Sequence, residues 1–337
     1  MPIKLPPLDP RIPQWDISSL DFRGCPICGS SDSMPTYLRP DSLQVCTCNH
    51  CSTLFVNPAP NANELNKFYE SYYQAHGDLS KSSVAKYTYE TKLLSPVSDI
   101  RINRLENLDS SSKDKAWALD IGCGRGQFLY LLKKLGYLVE GVEPDMSSQK
   151  YAKNLGINTI FTGYIEQFQS GKKYQLITML DLIEHPLEPM SLLKSAEKIL
   201  APGGYLLIWT PNGASNHGEL ENMTFRVDLE HMQYLTKESC RHIANTLQLN
   251  IAHLETLGIH GAFEKPNYLQ IIDKKTNFKN KFKATIKELI TSLPGWYSII
   301  APMIHKNTPE NINNSQINNN YHLLCIFQKP DNRANSI

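Results

Sequence analysis

The sequence predicts an α/β protein: a doubly wound, mostly parallel sheet of seven strands, with a small cysteine-bearing segment ahead of it and a helical insert before its last strand. Three observations carry this expectation. Short apolar runs alternate with amphipathic helical stretches from Trp117 to Leu257. Five of the eight cysteines crowd into residues 25–51. A lysine-bearing amphipathic stretch then interrupts the alternation at 278–293, and one further apolar run follows it.

Residues 1–22 read as an irregular, proline-rich arm, and the cysteine-bearing segment runs on to the proline stop in "FVNPAP", which closes a first unit at 1–60. Residues 61–110 read as a helical connector that could cover a ligand. There "NANELNKFYESYY" offers an Asn cap with Glu64 just inside, and "SDIRINRLENL" repeats apolar residues at helical spacing. The polar "SSSKDK" separates this connector from the alternating region. Strands are expected at Trp117–Ile121, Tyr137–Val142, Ile157–Phe161, Tyr174–Leu180, Tyr205–Thr210 and Ile251–Leu257. Helices are expected over Gln127–Leu135, Ser147–Leu155, Pro189–Leu200 and Thr236–Leu247. Such alternation demands right-handed crossovers, hence parallel strands. "HLLCIFQK" at 322–329 has no helix after it and reads as a final antiparallel strand. The main domain therefore comprises 111–265 and 321–330, with an insert at 266–320. Its helical part sets Phe278, Phe282, Ile286 and Leu289 on one face and Lys279, Lys281, Lys283 and Lys287 elsewhere. That pattern suits a lid, a helix packed on the sheet, or contact with an anionic membrane surface.

The formal net charge of +1 argues against a surface shaped as a whole to attract nucleic acid. No apolar run approaches the roughly 20 residues of a membrane span, and "MPIKLPPLDPRIPQWD" lacks the apolar core of a signal peptide. The chain reads as cytoplasmic. Oligomeric state is not legible.

Residues 119–128 read "LDIGCGRGQF". A glycine-rich turn between strand and helix usually cradles phosphate, but the dinucleotide fingerprint would want glycine at position 127, which is Gln127. Asp120 is the last-but-one residue of the strand, two before Gly122, where a carboxylate repels a pyrophosphate and attracts an ammonium group. The next strand ends in "VEGVEPD", placing Glu143 where it can accept hydrogen bonds from ribose hydroxyls. Gly122, Gly124 and Gly126 let the main chain approach closely. A nucleoside with an amino acid tail and no phosphate fits all three, and S-adenosylmethionine is such a ligand.

"LDIGCGRGQF", "VEGVEPD", "YQLITMLDLIEH" and "LAPGGYLLIWTPN", in that order, resemble the successive motifs of the class I S-adenosylmethionine-dependent methyltransferases, over residues 117–257 and 321–329. The resemblance implies a Rossmann-like methyltransferase fold and a set of cofactor contacts. Asp120 and the main chain of Gly122, Cys123 and Gly124 would face the methionine end. Glu143 would hold the ribose, with Pro144 near the adenine and Tyr164 and Ile165 flanking it. Leu180 and Asp181 would floor the methionine portion and face the acceptor.

"CPICGS" and "CTCNHC" supply Cys25-x-x-Cys28 and Cys48-x-x-Cys51, the spacing of a structural zinc site with four thiolates. Cys46 and His50 are surplus donors. This arm, with "FYESYY" after it, resembles the zinc-binding N-terminal segment of a methyltransferase subgroup that includes sugar C-methyltransferases. That resemblance sets Tyr69, Tyr72 and Tyr73 on a helix over the cofactor, Tyr73 being the expected contact; a plain aromatic helix face explains them as well.

Methyl transfer from a sulfonium needs alignment and, for a hydroxyl acceptor, a base. His231 in "DLEHMQYLT" and His185 in "DLIEHP" are the candidate bases, with Glu184, His217 and Arg226 as lesser candidates for orienting substrate. The absence of a "PPY" motif after "LITMLD", together with the charge balance, favours a small-molecule or carrier-linked acceptor methylated at oxygen or carbon. An RNA-directed enzyme gripping through its zinc knuckle is the runner-up, though Arg39 is the one Lys or Arg between Cys25 and Cys51. A non-catalytic cofactor-binding module is the third reading.

Overall fold

The structure is a computed structural model that describes residues 13–77, 81–109, 113–214, 229–257 and 321–331, with 70–77 and 81–83 described in backbone alone. The side chains of Tyr72 and Tyr73, residues His217 and Arg226, and the 266–320 insert lie outside what is described.

The N-terminal arm is β. Strand β1 (Leu20–Asp21) pairs with β5 (Ala59–Pro60), while β2 (Ser33–Leu38), β3 (Gln44–Cys48) and β4 (Leu54–Val56) form an antiparallel meander. Helix α1 (Ala62–Gly77) follows, capped by Asn61, whose Oδ1 accepts from the Glu64 amide at 3.1 Å. After α2 (Lys81–Leu93) comes α3 (Ile100–Leu108), where the Asp99 carboxylate accepts from the amides of Arg101 and Ile102. Both caps satisfy amides that the first helical turn leaves without carbonyl partners.

The main sheet then builds through β6 (Trp117–Ile121), α4 (Gln127–Lys134), β7 (Leu138–Val142), α5 (Gln149–Asn154), β8 (Ile160–Phe161), β9 (Tyr174–Leu180), α6 (Pro189–Ile199) and β10 (Leu200–Pro211). After the short β11 (Gln233–Tyr234), which joins the arm instead, α7 (Lys237–Leu247), β12 (Asn250–Leu257) and β13 (His322–Gln328) complete it. Seven strands lie in the order β12-β13-β10-β9-β6-β7-β8, with β13 antiparallel to both neighbours. The expected doubly wound, mostly parallel sheet is what forms. Two elements are shorter than the sequence suggests: a 3-10 turn (Met146–Ser148) replaces the start of α5, and β8 keeps two residues. Strand β10 is longer, because the chain around Gly203 and Gly204 bulges yet stays in the ladder.

Both sheet faces are covered. Leu207, Trp209, Leu324 and Ile326 pack with Ile102 and Phe128 from α3 and α4, while Leu206, Ile208 and Cys325 pack with Leu193 and Ile243 from α6 and α7. The second core runs without a break into the arm, taking in Cys25, Ile27, Cys48 and Phe55. The arm's meander is also finished from afar: β11 pairs with β4, Gln233 opposite Phe55 and Tyr234 opposite Leu54.

The chain winds outward through β7 and β8 on one side of β6 and through β9 and β10 on the other. The crevice above the β6–β9 boundary is thus the topological switch point where open α/β sheets bind ligands.

Helix α7 starts at a capping box in which Thr236 Oγ1 accepts from the Ser239 amide and Ser239 Oγ accepts from the Thr236 amide. Thr236→Ala is expected to cost about 1 kcal/mol, read as a lower urea midpoint at unchanged slope; an unmoved midpoint would show the cap to be idle.

Candidate functional site

At the carboxyl end of β6 the chain turns through three glycines with left-handed backbones, Gly122 at φ +72°, Gly124 at +48° and Gly126 at +79°. Gly122 lies under Leu182, whose Cδ1 would sit 3.0 Å from an added Cβ, whereas a Cβ on Gly124 would meet nothing within 4 Å. The loop is therefore pressed against protein at its first glycine and open at its second. That opening is where a ligand can touch main chain.

Two buried carboxylates border it. Asp120 accepts from Thr178 Oγ1 at 2.6 Å, and burial pushes its pKa up to about 7 against the pull of Thr178 and Arg101. Glu143 accepts from the Gly124 amide through one oxygen and the Asp145 amide through the other, both at 2.8 Å, and burial raises its pKa too. Each carboxylate oxygen keeps a further lone pair for a hydroxyl donor. Asp181, at φ +49° just past β9, is exposed, while the protein around it pushes its carboxyl up to about 6 against the pull of Arg101.

Arg101 was not legible as a site residue. It grips Asp99 through Nε (3.0 Å) and Nη2 (2.6 Å), stacks over Phe128 and Trp209, and its charge acts on both Asp120 and Asp181. An arginine on an amphipathic helix, one of two in α3, carries no sequence signal for this.

The other expected cofactor contacts fall around the loop in varied settings. The Cys123 side chain is buried against Gly141, so only its main chain is offered to a ligand. Pro144 is half-buried beside Glu143. Tyr164 is exposed directly after Gly163, whose amide bonds the Glu143 carbonyl, whereas Ile165 belongs to the core. Leu180 is half-buried against the Trp209 cluster.

On the opposite side of Asp181 the structure brings both candidate bases together. The rings of His185 and His231 meet edge to face at 4.7 Å between centroids. Tyr69 of α1 bonds His185 Nδ1 through its hydroxyl at 2.9 Å, and Glu184 Oε1 lies 4.0 Å from His231 Nε2. Glu184 is itself oriented by Thr210 Oγ1 at 2.8 Å. Burial lowers both imidazoles, His185 to about 4 and His231 well below its ordinary value.

In the arm, Cys25, Cys28, Cys48 and Cys51 place their sulfurs within 4.8 Å of one another, with Cys25–Cys51 and Cys28–Cys48 each at 3.5 Å. Four thiolates at 2.3 Å around a tetrahedral zinc stand about 3.8 Å apart, so the donor set and spacing fit that ion. The His50 amide donates to Cys48 Sγ at 3.4 Å, and hydrogen bonds from Cys25 and Thr53 hold Cys51 down to about 4. Cys46 turns away towards the Asn57 carbonyl, and His50 is exposed, its ring against His242.

The fold and site together define a doubly wound protein with two buried carboxylates flanking an open glycine at its switch point. Residues 98–254 match the family described as "Methyltransferase domain". Curated relatives named ubiquinone biosynthesis O-methyltransferase include one from Coxiella burnetii, 32% identical over 28% of this chain and 43% of the relative. Another, from Marinobacter nauticus, is 27% identical over 37% of this chain and 56% of the relative. The chain thus spans about half the length of these curated relatives. Among solved structures, a SAM-dependent methyltransferase from Archaeoglobus fulgidus aligns at TM-score 0.42 and 20% identity, covering 67% of this chain and 92% of that one.

The histidine pair gives a direct check. Carbon-13 histidine NMR should find His185 neutral down to about pH 4; a midpoint near 6.5 would show the pair to be hydrated and apart.

Proposed function

We propose that this protein is an S-adenosylmethionine-dependent methyltransferase acting on a small-molecule or carrier-linked acceptor, at oxygen or carbon, with a structural zinc ion in its arm. The observation that carries this reading is the pair Asp120 and Glu143 at the ends of adjacent strands, flanking a glycine open to a ligand. The cysteine set, fitted for thiolate ligation, and the lack of any helix long and apolar enough to cross a membrane among the described residues accord with a reducing, cytoplasmic setting.

The cofactor supplies a methyl group already activated on a sulfonium. Asp120 would hold its ammonium group, Arg101 its carboxylate, and Glu143 its ribose hydroxyls, with main chain of Gly122–Gly124 alongside. Asp181 faces the acceptor across the cleft. Burial keeps His185 and His231 unprotonated at neutral pH, so either can accept an acceptor proton. Glu184, 4.0 Å from His231, would stabilise the imidazolium that results. The relatives' shared name, an O-methyltransferase, supports oxygen as the acceptor atom.

The raised pKa of Asp120 fixes the sign of a pH effect. Below about pH 4 its carboxyl is protonated folded or unfolded and costs nothing; above about 7 it is charged in its buried site, where that charge disfavours the ligand-free fold and attracts a cation. Calorimetry with S-adenosylhomocysteine should therefore show affinity falling as pH drops from 7 towards 4, by up to about tenfold per unit. Asp120→Asn should weaken binding and flatten the profile. Wild-type affinity in both Asp120→Asn and Glu143→Gln would remove the site.

Metal analysis should find about one zinc per chain, lost from the Cys25→Ser, Cys28→Ser double variant. A second equivalent would instead assign Glu184, His185 and His231, whose donor atoms also cluster within 4.8 Å, as ligands and remove them as bases.

A further inference from the structure

Two arginines of the arm end on the histidine-bearing segments. Arg39, in the turn after β2, has a fully buried side chain bonded to Asp41, and its Nη1 donates to the His231 carbonyl at 2.5 Å while its Nη2 reaches the Leu229 carbonyl. Asp41 is fixed in turn by Trp15 Nε1 at 2.8 Å. Arg23 lies two residues before the first zinc-site cysteine. Its Nη2 donates to the Met232 carbonyl at 2.7 Å, its Nη1 to the Leu187 carbonyl at 3.0 Å, and its Nε to the Val56 carbonyl of its own arm at 3.1 Å. One side chain thus spans the segment after His185, the segment after His231, and β4.

Gln233 closes the same junction. Fully buried, it donates to the carbonyls of Ile183 and Pro186, both at 2.7 Å, while the Met232 amide donates to the Glu184 carbonyl at 2.8 Å. The loop after β9 and the loop before β11 are therefore tied to each other and, through the two guanidiniums, to the cysteine-bearing arm. The cofactor side is held otherwise, by Thr178 on Asp120 and by the Gly124 and Asp145 amides on Glu143.

We propose that Arg23 and Arg39 are positioning residues for the acceptor side of the reaction, fixing the spacing between His185 and His231 from the arm. The inference rests on the methyltransferase reading for its purpose and on the hydrogen bonds above for its substance. A guanidinium suits the task because its planar fork satisfies several carbonyls at once, where lysine offers a single point. The arm then acts on the bases and leaves cofactor affinity alone.

The test uses full-length Arg23→Met, Arg23→Lys, Arg39→Met and Arg39→Lys, each labelled with carbon-13 histidine and measured for zinc content and S-adenosylhomocysteine affinity. With Arg23 gone, water should enter the junction and the burial that depresses His185 should relax. Its NMR midpoint is expected to rise by at least about one unit towards 6.5, partly restored in Arg23→Lys. His231, which faces His185, Glu184 and the Arg39 charge, should rise most in Arg39→Met. Zinc content and S-adenosylhomocysteine affinity should stay within about twofold of wild type. Unchanged titration of both histidines in folded variants would overturn the proposal, as would loss of S-adenosylhomocysteine affinity in step with the histidine shift. If the methionine variants do not fold, the lysine variants decide by the same criteria. Wild-type protein that rejects S-adenosylhomocysteine would sink the methyltransferase reading, while the histidine titrations would still judge the positioning.

Discussion

Asp120 and Glu143 are kept close together at the ends of neighbouring parallel strands, in surroundings that disfavour their charge. Holding two such groups side by side is costly unless something positive arrives or amides converge on them. The sheet register that sets Asp120 opposite Gly141 and Ile121 opposite Val142 fixes their separation. The left-handed glycine turn then delivers the Gly124 amide to Glu143, Thr178 from β9 steadies Asp120, and Arg101 leans in from α3. Sheet, turn and connector helix all converge on this one electrostatic demand.

Across Asp181 the problem is different. Two imidazoles must stay near each other and neutral, a task of exclusion rather than attraction. Burial supplies the neutrality, and hydrogen bonds to main-chain carbonyls supply the placement. The two carboxylates thus border an open glycine loop, while the two histidines lie in a buried, hydrogen-bonded junction. The arm and α1, both outside the alternating strands and helices, contribute Arg23, Arg39 and Tyr69 to the second side.

Features with a local cause were readable in the sequence. The glycines, the strand-end carboxylates and the C-x-x-C pairs each need specific residues at specific short spacings, and strand-helix alternation gave the sheet. What escaped notice depends on contacts between distant residues. Arg23 meets Met232 across 209 positions, Arg39 meets His231 across 192, and Tyr69 meets His185 across 116. Arg39 is instructive: as a lone cation among the cysteines it spoke only against a nucleic-acid surface, yet it is an internal strut with no charge to offer outside. Element lengths slipped where propensity is weak, as at β8, whose two residues are held mainly by their neighbour β7.

The borrowed strand β11 has a bearing on how the chain is made. The arm is synthesised before the main sheet, but β11, which finishes its meander, and the Leu229, His231 and Met232 carbonyls that its arginines bond follow only after β10 is complete. Until then β4 presents an unpaired edge, Arg39 lacks the Leu229 and His231 carbonyls, and Arg23 lacks that of Met232. Early capture of metal by the cysteines would organise a hairpin too small to bury its own apolar side, so lasting order in the arm must await the parallel sheet. A segment translated before the sheet is in this way among the last to settle.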